Sequence, residues 1–135
     1  MSKNEANTFE LRLLEISPSQ LYVSRCKLRS VDYAFCCGGA SLLQPLPVIN
    51  IDGQWTLTDG HTRALALYLK GYQTVQVFED TDSINLEMYK TCLEWCKSEG
   101  ILSPADLAPR LVEHKVFEEL WIQRCKKQCT QNQNP

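Results

Sequence analysis

The stretch from Leu57 to Ala66 most constrains the fold, because it changes from a strand pattern to a helix pattern within a few residues. Upstream, residues 46–51 and 55–58 alternate as strands do, and the Asp52-Gly53 pair between them is a strong signal for a tight hairpin. Downstream, an apolar, helix-favouring run stops at Gly71. The pattern therefore predicts a hairpin that leads directly into a helix.

The start of that helix has the features of an anion site. Asp59 is the predicted N-cap, which would leave the N–H groups of Gly60, His61 and Thr62 pointing outward at the positive end of the helix dipole. A phosphate fits such a position, and Arg63 could add a charge-assisted contact to a phosphate oxygen. Every helix needs a cap, however, and most Asp-Gly junctions bind nothing, so the rest of the sequence has to support a ligand.

The predicted fold class is α+β (α/β-like), because strands and helices alternate along the chain as β-α-β-β-α-β and two helices follow. The predicted elements are a strand over 8–16, one or two helices over 21–35, strands over 46–51, 55–58 and 74–78, the helix before Gly71, and helices over 82–98 and 112–127. Between the last two helices, residues 103–106 open a short turn or helix.

Length and composition indicate one domain over residues 1–129, since 135 residues with 44% hydrophobic side chains can build one core. Its central part is predicted over 9–80 and a helical extension over 82–129, with a disordered polar tail at 130–135. The net charge of −2 provides no broad basic surface for nucleic acid. No stretch resembles a membrane span or a signal peptide, so we expect a cytoplasmic protein that does not associate with membranes.

Seven cysteines are predicted to be reduced thiols, because their number is odd and the core is adequate without disulfides. Cys92 and Cys96 lie four residues apart, as do Cys125 and Cys129, so each pair shares one helix face and could contribute to a four-thiolate metal site. The same positions fit apolar helix stripes, in which a thiol acts as a small hydrophobic side chain. We therefore assign no residue to a metal.

Two short motifs give the chain a family resemblance. Residues 42–48 look like the partition-protein box "G-x-x-Q-P-x-x-V", with Gly38 or Gly39 just upstream, and residues 60–66 look like the box "G-E-R-R-x-R-A", of which they keep Gly60, Arg63 and Ala66. On these motifs, over roughly residues 10–80, the chain resembles the ParB/sulfiredoxin superfamily. The resemblance implies a small mixed sheet with flanking helices and a nucleotide whose phosphates lie at the second box.

Within that superfamily, the Asp59–Arg63 segment is most similar to the "D-G-H-H-R" pattern of the free-serine kinase branch. The catalytic cysteine of sulfiredoxins is replaced here, so a sulfiredoxin activity is not expected. The kinase-like box implies binding of ATP, ADP or CTP, with Mg²⁺ as a further candidate, and an ATP- or ADP-dependent phosphotransferase activity on a small molecule. No glutamate follows the first strand as a catalytic carboxylate, so the sequence leaves open whether the protein is an enzyme.

The candidate catalytic residues are Asp59, whose carboxylate could hold a metal or the attacking hydroxyl, and His61, which could carry a proton. Binding of a nucleotide or phosphate is predicted for Gly60, His61, Thr62, Arg63, Gln44, Pro45 and Lys27. For Lys27 the alternative is an ordinary solvated helix face, and Gln44-Pro45 could also serve simply as the entry to a strand.

The alternative function is a non-catalytic ParB-like interaction module, or one that associates with DNA, through the C-terminal helices. Trp95, Phe117 and Trp121 would then lie on an exposed face, whereas buried aromatic side chains and a polar cleft at Gly60 would favour ligand binding. Sequence-specific DNA binding is not expected, because the chain is net acidic and has no clear recognition helix. A homo-oligomer remains open.

Overall fold

A mixed four-stranded sheet forms the centre of the protein, whose computed structural model describes residues 7–38, 43–82 and 85–133. The strands are β1 (Thr8–Arg12), β3 (Leu46–Ile51), β4 (Gln54–Leu57) and β5 (Thr74–Glu79). Their order is β1-β5-β3-β4; β3 and β5 are parallel, and the two outer pairs are antiparallel. The short strands β2 (Val23–Ser24) and β6 (Leu111–Val112) form a separate parallel pair.

Helices alternate with these strands along the chain, which confirms the predicted α+β class. They are α1 (Arg25–Cys36), α2 (His61–Leu69), α3 (Leu86–Ser98), α4 (His114–Phe117) and α5 (Gln123–Gln133). A π-helical segment, Glu118–Ile122, continues α4 into α5, and 3₁₀ turns occupy Leu13–Glu15 and Pro104–Arg110. No helix within the described ranges is long and apolar enough to cross a membrane.

The predicted hairpin is confirmed between β3 and β4. Ile51 pairs with Gln54, so Asp52 and Gly53 alone form the turn, with φ angles of 51° and 88°. Positive φ at both central residues is the geometry that Asp-Gly accommodates at low cost. The hairpin fixes the direction of β4 and therefore the place where α2 begins.

The predicted first strand was too long at its end, because the chain leaves β1 at Arg12 and turns. Ser17 then runs beside β4, where its N–H donates to the Trp55 carbonyl at 2.8 Å and its carbonyl accepts from the Leu57 N–H at 2.9 Å. These bonds place the segment after β1 next to the start of α2. That position matters for the site described below.

The helix that was predicted over 82–98 begins later, at Leu86, because the Asn85 side chain accepts from the Met88 N–H and provides the N-cap. The prediction that Asp82-Ser83 caps this helix is therefore wrong. Ser83 itself lies outside the described residues. The short helix at 103–106 is confirmed as the start of the 3₁₀ turn, where Ser103 and Asp106 form a reciprocal capping box.

The last predicted helix, 112–127, is wrong at both ends. Val112 belongs to β6, because it pairs with Ser24 of β2, and the helix starts only at His114. At the other end, α5 continues to Gln133, so residues 130–133 are helical instead of disordered. The Thr130 hydroxyl donates to the Lys126 carbonyl at 3.0 Å, the bond from residue i to i−4 that a threonine inside a helix can make.

A single large hydrophobic cluster joins the sheet to helices from both halves of the chain. Its buried members include Leu46, Val48, Leu57, Leu65 and Val77 from the central part, and Met88, Cys92, Cys96, Ile101, Phe117 and Trp121 from the C-terminal part. The C-terminal helices are thus part of the same core as the sheet. Phe117 and Trp121 are buried in it, whereas Leu86, Val116 and Leu120 of the same region stay exposed.

Candidate functional site

The candidate site begins where β4 ends. Gly60 is the N-cap of α2, with a left-handed φ of 78°, and a Cβ at this position would lie only 2.8 Å from Leu46 Cδ2. The predicted cap, Asp59, is therefore one residue too early; its carboxylate instead accepts from the Gly60 N–H at 2.8 Å. The first helical bond runs from the Ala64 N–H to the Gly60 carbonyl at 2.9 Å, which leaves the preceding N–H groups at the helix start.

Arg63 connects the two sequence motifs. Its Nη1 donates to the Gln44 carbonyl at 3.0 Å, and its Nη2 would lie 3.4 Å from a Cβ added to Gly60. The side chain is half-buried, and burial lowers the pKa of the guanidinium while the Asp59 carboxylate partly opposes that shift. Gln44 is exposed and Pro45 half-buried beside it. Gln44 and Arg63, one from each motif, thus lie together at the end of the sheet where β3 begins and β4 ends.

His61 has a structural partner. Its side chain is buried, and its Nε2 accepts a hydrogen bond of 2.8 Å from the Ser19 backbone N–H. The Ser19 hydroxyl in turn donates to the Leu57 carbonyl at 2.6 Å. Burial lowers the pKa of His61 to about 4, although Asp59 opposes the shift. The ring is therefore neutral near pH 7, with its proton on Nδ1, and it holds the segment around Ser19 against α2.

A second carboxylate lies close to Asp59 and was missed in the sequence. Asp80 follows β5, and its Oδ2 accepts from the Thr58 hydroxyl at 2.9 Å. The Tyr89 hydroxyl donates to the Thr58 carbonyl at 3.0 Å. Burial raises the pKa of Tyr89, and the Asp59 and Asp80 carboxylates raise it further, so both acidic groups face this phenol. The signal that could have found Asp80 is its position directly after a strand next to the hairpin.

The remaining predicted site residues lie apart from this arrangement or at its margin. Thr62 is half-buried in the first turn of α2. Lys27, on α1, places its ammonium 5.1 Å from the centre of the Phe117 ring, so the structure brings Lys27 to the C-terminal helices. Within the described ranges, no group of three acidic, histidine or cysteine side chains is arranged to hold a metal ion.

Two cavities lie on the side of the sheet near β1. One of about 270 Å³ is lined by Gln44, Leu67, Tyr72 and Gln76 among others. A larger one, of about 640 Å³, lies between β1 and the end of α2, where Arg12, Tyr68 and Tyr72 contribute to its wall. Gln44 therefore lines the smaller cavity, whereas none of the residues 59–63 lines either of these two cavities.

No protein-family model matches this chain, and no match was found among curated proteins. Among solved structures, the chain is similar to protein Atu1540 from Agrobacterium tumefaciens, with 16% sequence identity and a TM-score of 0.48. The match covers 73% of this chain and 50% of that protein, so the chain spans about half of the other's length. What the junction can do chemically therefore rests on its own residues.

Proposed function

We propose that this domain binds a nucleotide, such as ATP, ADP or CTP, or another phosphorylated small molecule at the junction of β4 and α2. The observation that carries the proposal is the bond between the Arg63 guanidinium and the Gln44 carbonyl. It draws together two distant motifs around a helix start, where charge-assisted contacts to an anion are strongest.

The backbone of the junction supports the same ligand. The N–H groups of His61 and Thr62 precede the first helical hydrogen bond and lie at the positive end of the α2 dipole. Gly60 lets the chain turn sharply without a side chain that would meet Leu46. A phosphate at this point would accept from the backbone while Arg63 supplies the positive charge.

The acidic groups near the junction support a nucleotide bound together with Mg²⁺. Asp59 is exposed, and Asp80 is half-buried beside Thr58. Mg²⁺ in nucleotide sites takes one or two carboxylates together with phosphate oxygens and water, so these residues fit the ion only when the nucleotide contributes ligands. In the proposal, Asp59 is the carboxylate available to the ion or, as the alternative, to the hydroxyl that receives the phosphate.

A phosphotransferase activity would extend this binding, and it would depend on Asp59 to orient the hydroxyl that receives the phosphate. In the proposal His61 is a positioning residue, because its Nε2 is occupied by the Ser19 N–H and its ring is buried. A cytoplasmic location, where nucleotides are abundant and thiols stay reduced, fits this reading.

The ligand-binding proposal is better supported than an interaction module built on aromatic side chains of the C-terminal helices. Phe117 and Trp121 are 2% and 5% exposed, and both belong to the main hydrophobic cluster. Trp95 is half-buried and packs edge-on against Trp121, with ring centres 6.0 Å apart. The aromatic face that the alternative needs is therefore used inside the fold.

The test is a thermal-shift and calorimetry panel of ATP, ADP, CTP and pyrophosphate, with and without Mg²⁺. A ligand at 100 times its dissociation constant should stabilise the protein by about 2.7 kcal/mol. Arg63→Ala should weaken binding by about 1.5 to 3 kcal/mol, the contribution of a hydrogen bond to a charged group.

Arg29→Ala is the matched control, because Arg29 is an exposed arginine on α1 and should leave the affinity unchanged. Equal affinity in the wild type and Arg63→Ala would contradict the proposed site. No stabilisation by any member of the panel would contradict the proposed function.

A further inference from the structure

The two cavities beside β1 join into one groove, which carries much of the exposed apolar surface. Both are lined by Glu10, Tyr72 and Thr74, so they adjoin each other. Ten large hydrophobic side chains are exposed in the part of the chain that the structure describes, and four of them line this groove: Leu14, Leu43, Tyr68 and Tyr72. Apolar side chains that gather at one place on a surface mark a site for a partner, whereas scattered ones need no explanation.

The larger cavity has two tyrosines in its wall and a leucine at its rim. Tyr68 and Tyr72 are each 37% exposed, and Leu14, on the turn that follows β1, is 65% exposed. The cavity of about 640 Å³ has room for an aliphatic side chain from outside. An exposed leucine and an open cavity on one surface are the two halves of a contact that a second copy of the chain would complete twice.

The charged side chains around the cavity are also complementary to each other. Glu10, Arg12 and Glu15 are all exposed, and all three line the cavity. None of them forms an ion pair with another described residue. Across a two-fold axis, Arg12 of each copy can face a glutamate of the other. A second copy is therefore favoured over a different protein, because this surface supplies every group that its own pairing needs.

We propose that two copies of this chain form a two-fold dimer through the groove, in which Leu14 of each copy enters the larger cavity of the other. Arg12 of each copy then pairs with Glu10 or Glu15 of the other. Burial of the apolar side chains stabilises the dimer, whereas the exposed ion pairs contribute less and fix the orientation of the two copies. Residues 59–63 line neither cavity, so the dimer and the nucleotide site are separate.

Sedimentation velocity of the full chain over a range of concentrations tests the apolar contact. The wild type should form, reversibly, a species of twice the mass of one chain. Leu14→Ser should raise the dissociation constant of the dimer about tenfold, because two leucine contacts are lost. Leu102→Ser is the matched control: Leu102 is 59% exposed, lines neither cavity, and should leave the dissociation constant unchanged.

Charge reversal tests the ion pairs in the same measurement. Arg12→Glu makes the charges of the surface all negative, and the double variant Glu10→Arg with Glu15→Arg makes them all positive, so each protein alone should dimerise about tenfold more weakly. An equimolar mixture of the two should form a heterodimer, since opposite charges face each other again. Arg29→Glu, the same charge change at an exposed position on α1, should have no effect.

Three results would overturn the proposal. The first is a wild type that stays monomeric at every concentration. The second is equal self-association of Leu14→Ser and Leu102→Ser, which would mean that the cavity receives no leucine. The third is a mixture of the two charge variants that associates no better than either protein alone.

A measurement on the wild type remains valid even if a variant folds poorly. Hydroxyl-radical footprinting, resolved by residue, should oxidise Tyr68 and Tyr72 more slowly as the protein concentration rises, because the dimer covers both rings. Tyr33, which is 74% exposed and lines neither cavity, should be oxidised at the same rate throughout. Unchanged rates at Tyr68 and Tyr72 would contradict the proposed interface.

Discussion

The two histidines occupy the starts of different helices in opposite environments. His61 begins α2, is buried, and accepts a hydrogen bond from the Ser19 N–H. His114 begins α4 with a side chain that is 46% exposed, and its Nδ1 lies 3.0 Å from the Ser24 hydroxyl. The histidine inside the motif is thus structural, whereas the one outside any motif has the accessible ring. A residue's place in a motif does not determine its exposure; its tertiary partners do.

The largest expected effect is at Gly60, where the α2 junction is tightest. Gly60→Ala should reduce the free energy of unfolding by about 2 to 5 kcal/mol, because the left-handed backbone and the contact with Leu46 both oppose a Cβ. Urea denaturation measures the loss. The matched control is Gly71→Ala, which has a φ of 94° but nothing within 4 Å of its Cβ, and should cost about 1 to 2 kcal/mol.

A similar loss in the two glycine variants would mean that only backbone conformation matters at Gly60. The close approach to Leu46 would then not contribute to the free energy of unfolding, and the start of α2 would be no more constrained than the other helix ends.

The next effect is the pH dependence of stability that the buried His61 contributes. The pKa of His61 is lowered from 6.5 to about 4 in the folded protein, so stability from the neutral ring is present above pH 6.5 and is lost as the pH falls toward 4. This change corresponds to about 3 kcal/mol. His61→Gln, which keeps an acceptor for Ser19, should remove that part of the pH dependence in urea titrations between pH 7 and pH 4.

His114→Gln provides the comparison, since its half-exposed ring is not subject to the same burial. If His61→Gln retained the wild-type slope, the buried, neutral state of His61 would be wrong.

The smallest effect concerns Lys27, which links α1 to the segment that follows His114. Lys27→Met should cost about 0.5 kcal/mol of stability, the contribution of an exposed cation–π contact with Phe117. Affinity for the nucleotide panel should not change, because the ammonium is directed at this ring. A tenfold loss of affinity, measured by calorimetry, would instead show that Lys27 belongs to the phosphate site.

Local patterns predicted the parts of the fold that local interactions determine. The Asp52-Gly53 turn was correct because both residues tolerate positive φ, and the helix after Gly60 was correct because its apolar run is continuous. The first strand was wrong from Leu13, where a 3₁₀ turn begins, and the last helix was wrong at Val112, which pairs with Ser24 far away in the chain. No periodicity in either segment carries information about such a partner.

The candidate site divides in the same way. Arg63 and Gln44 could be named from their motifs, and the structure places them in contact. Asp80 was missed: its position after a strand was visible in the sequence, but its contact with Thr58 depends on the order of the strands in the sheet. The burial of His61 depends on Ser19, which lies 42 positions earlier in the chain. The sequence therefore could not show the role of His61 either.

The pairing of β2 with β6 also has a consequence for how the chain is made. Val23 and Ser24 emerge from the ribosome early, but their partners, Leu111 and Val112, follow only after the sheet strands and α3 have been synthesised. During that interval the edge of β2 is open to any extended segment, including that of a neighbouring nascent chain. Completion of this small pair is therefore the step at which the growing polypeptide stops being vulnerable to mispairing there.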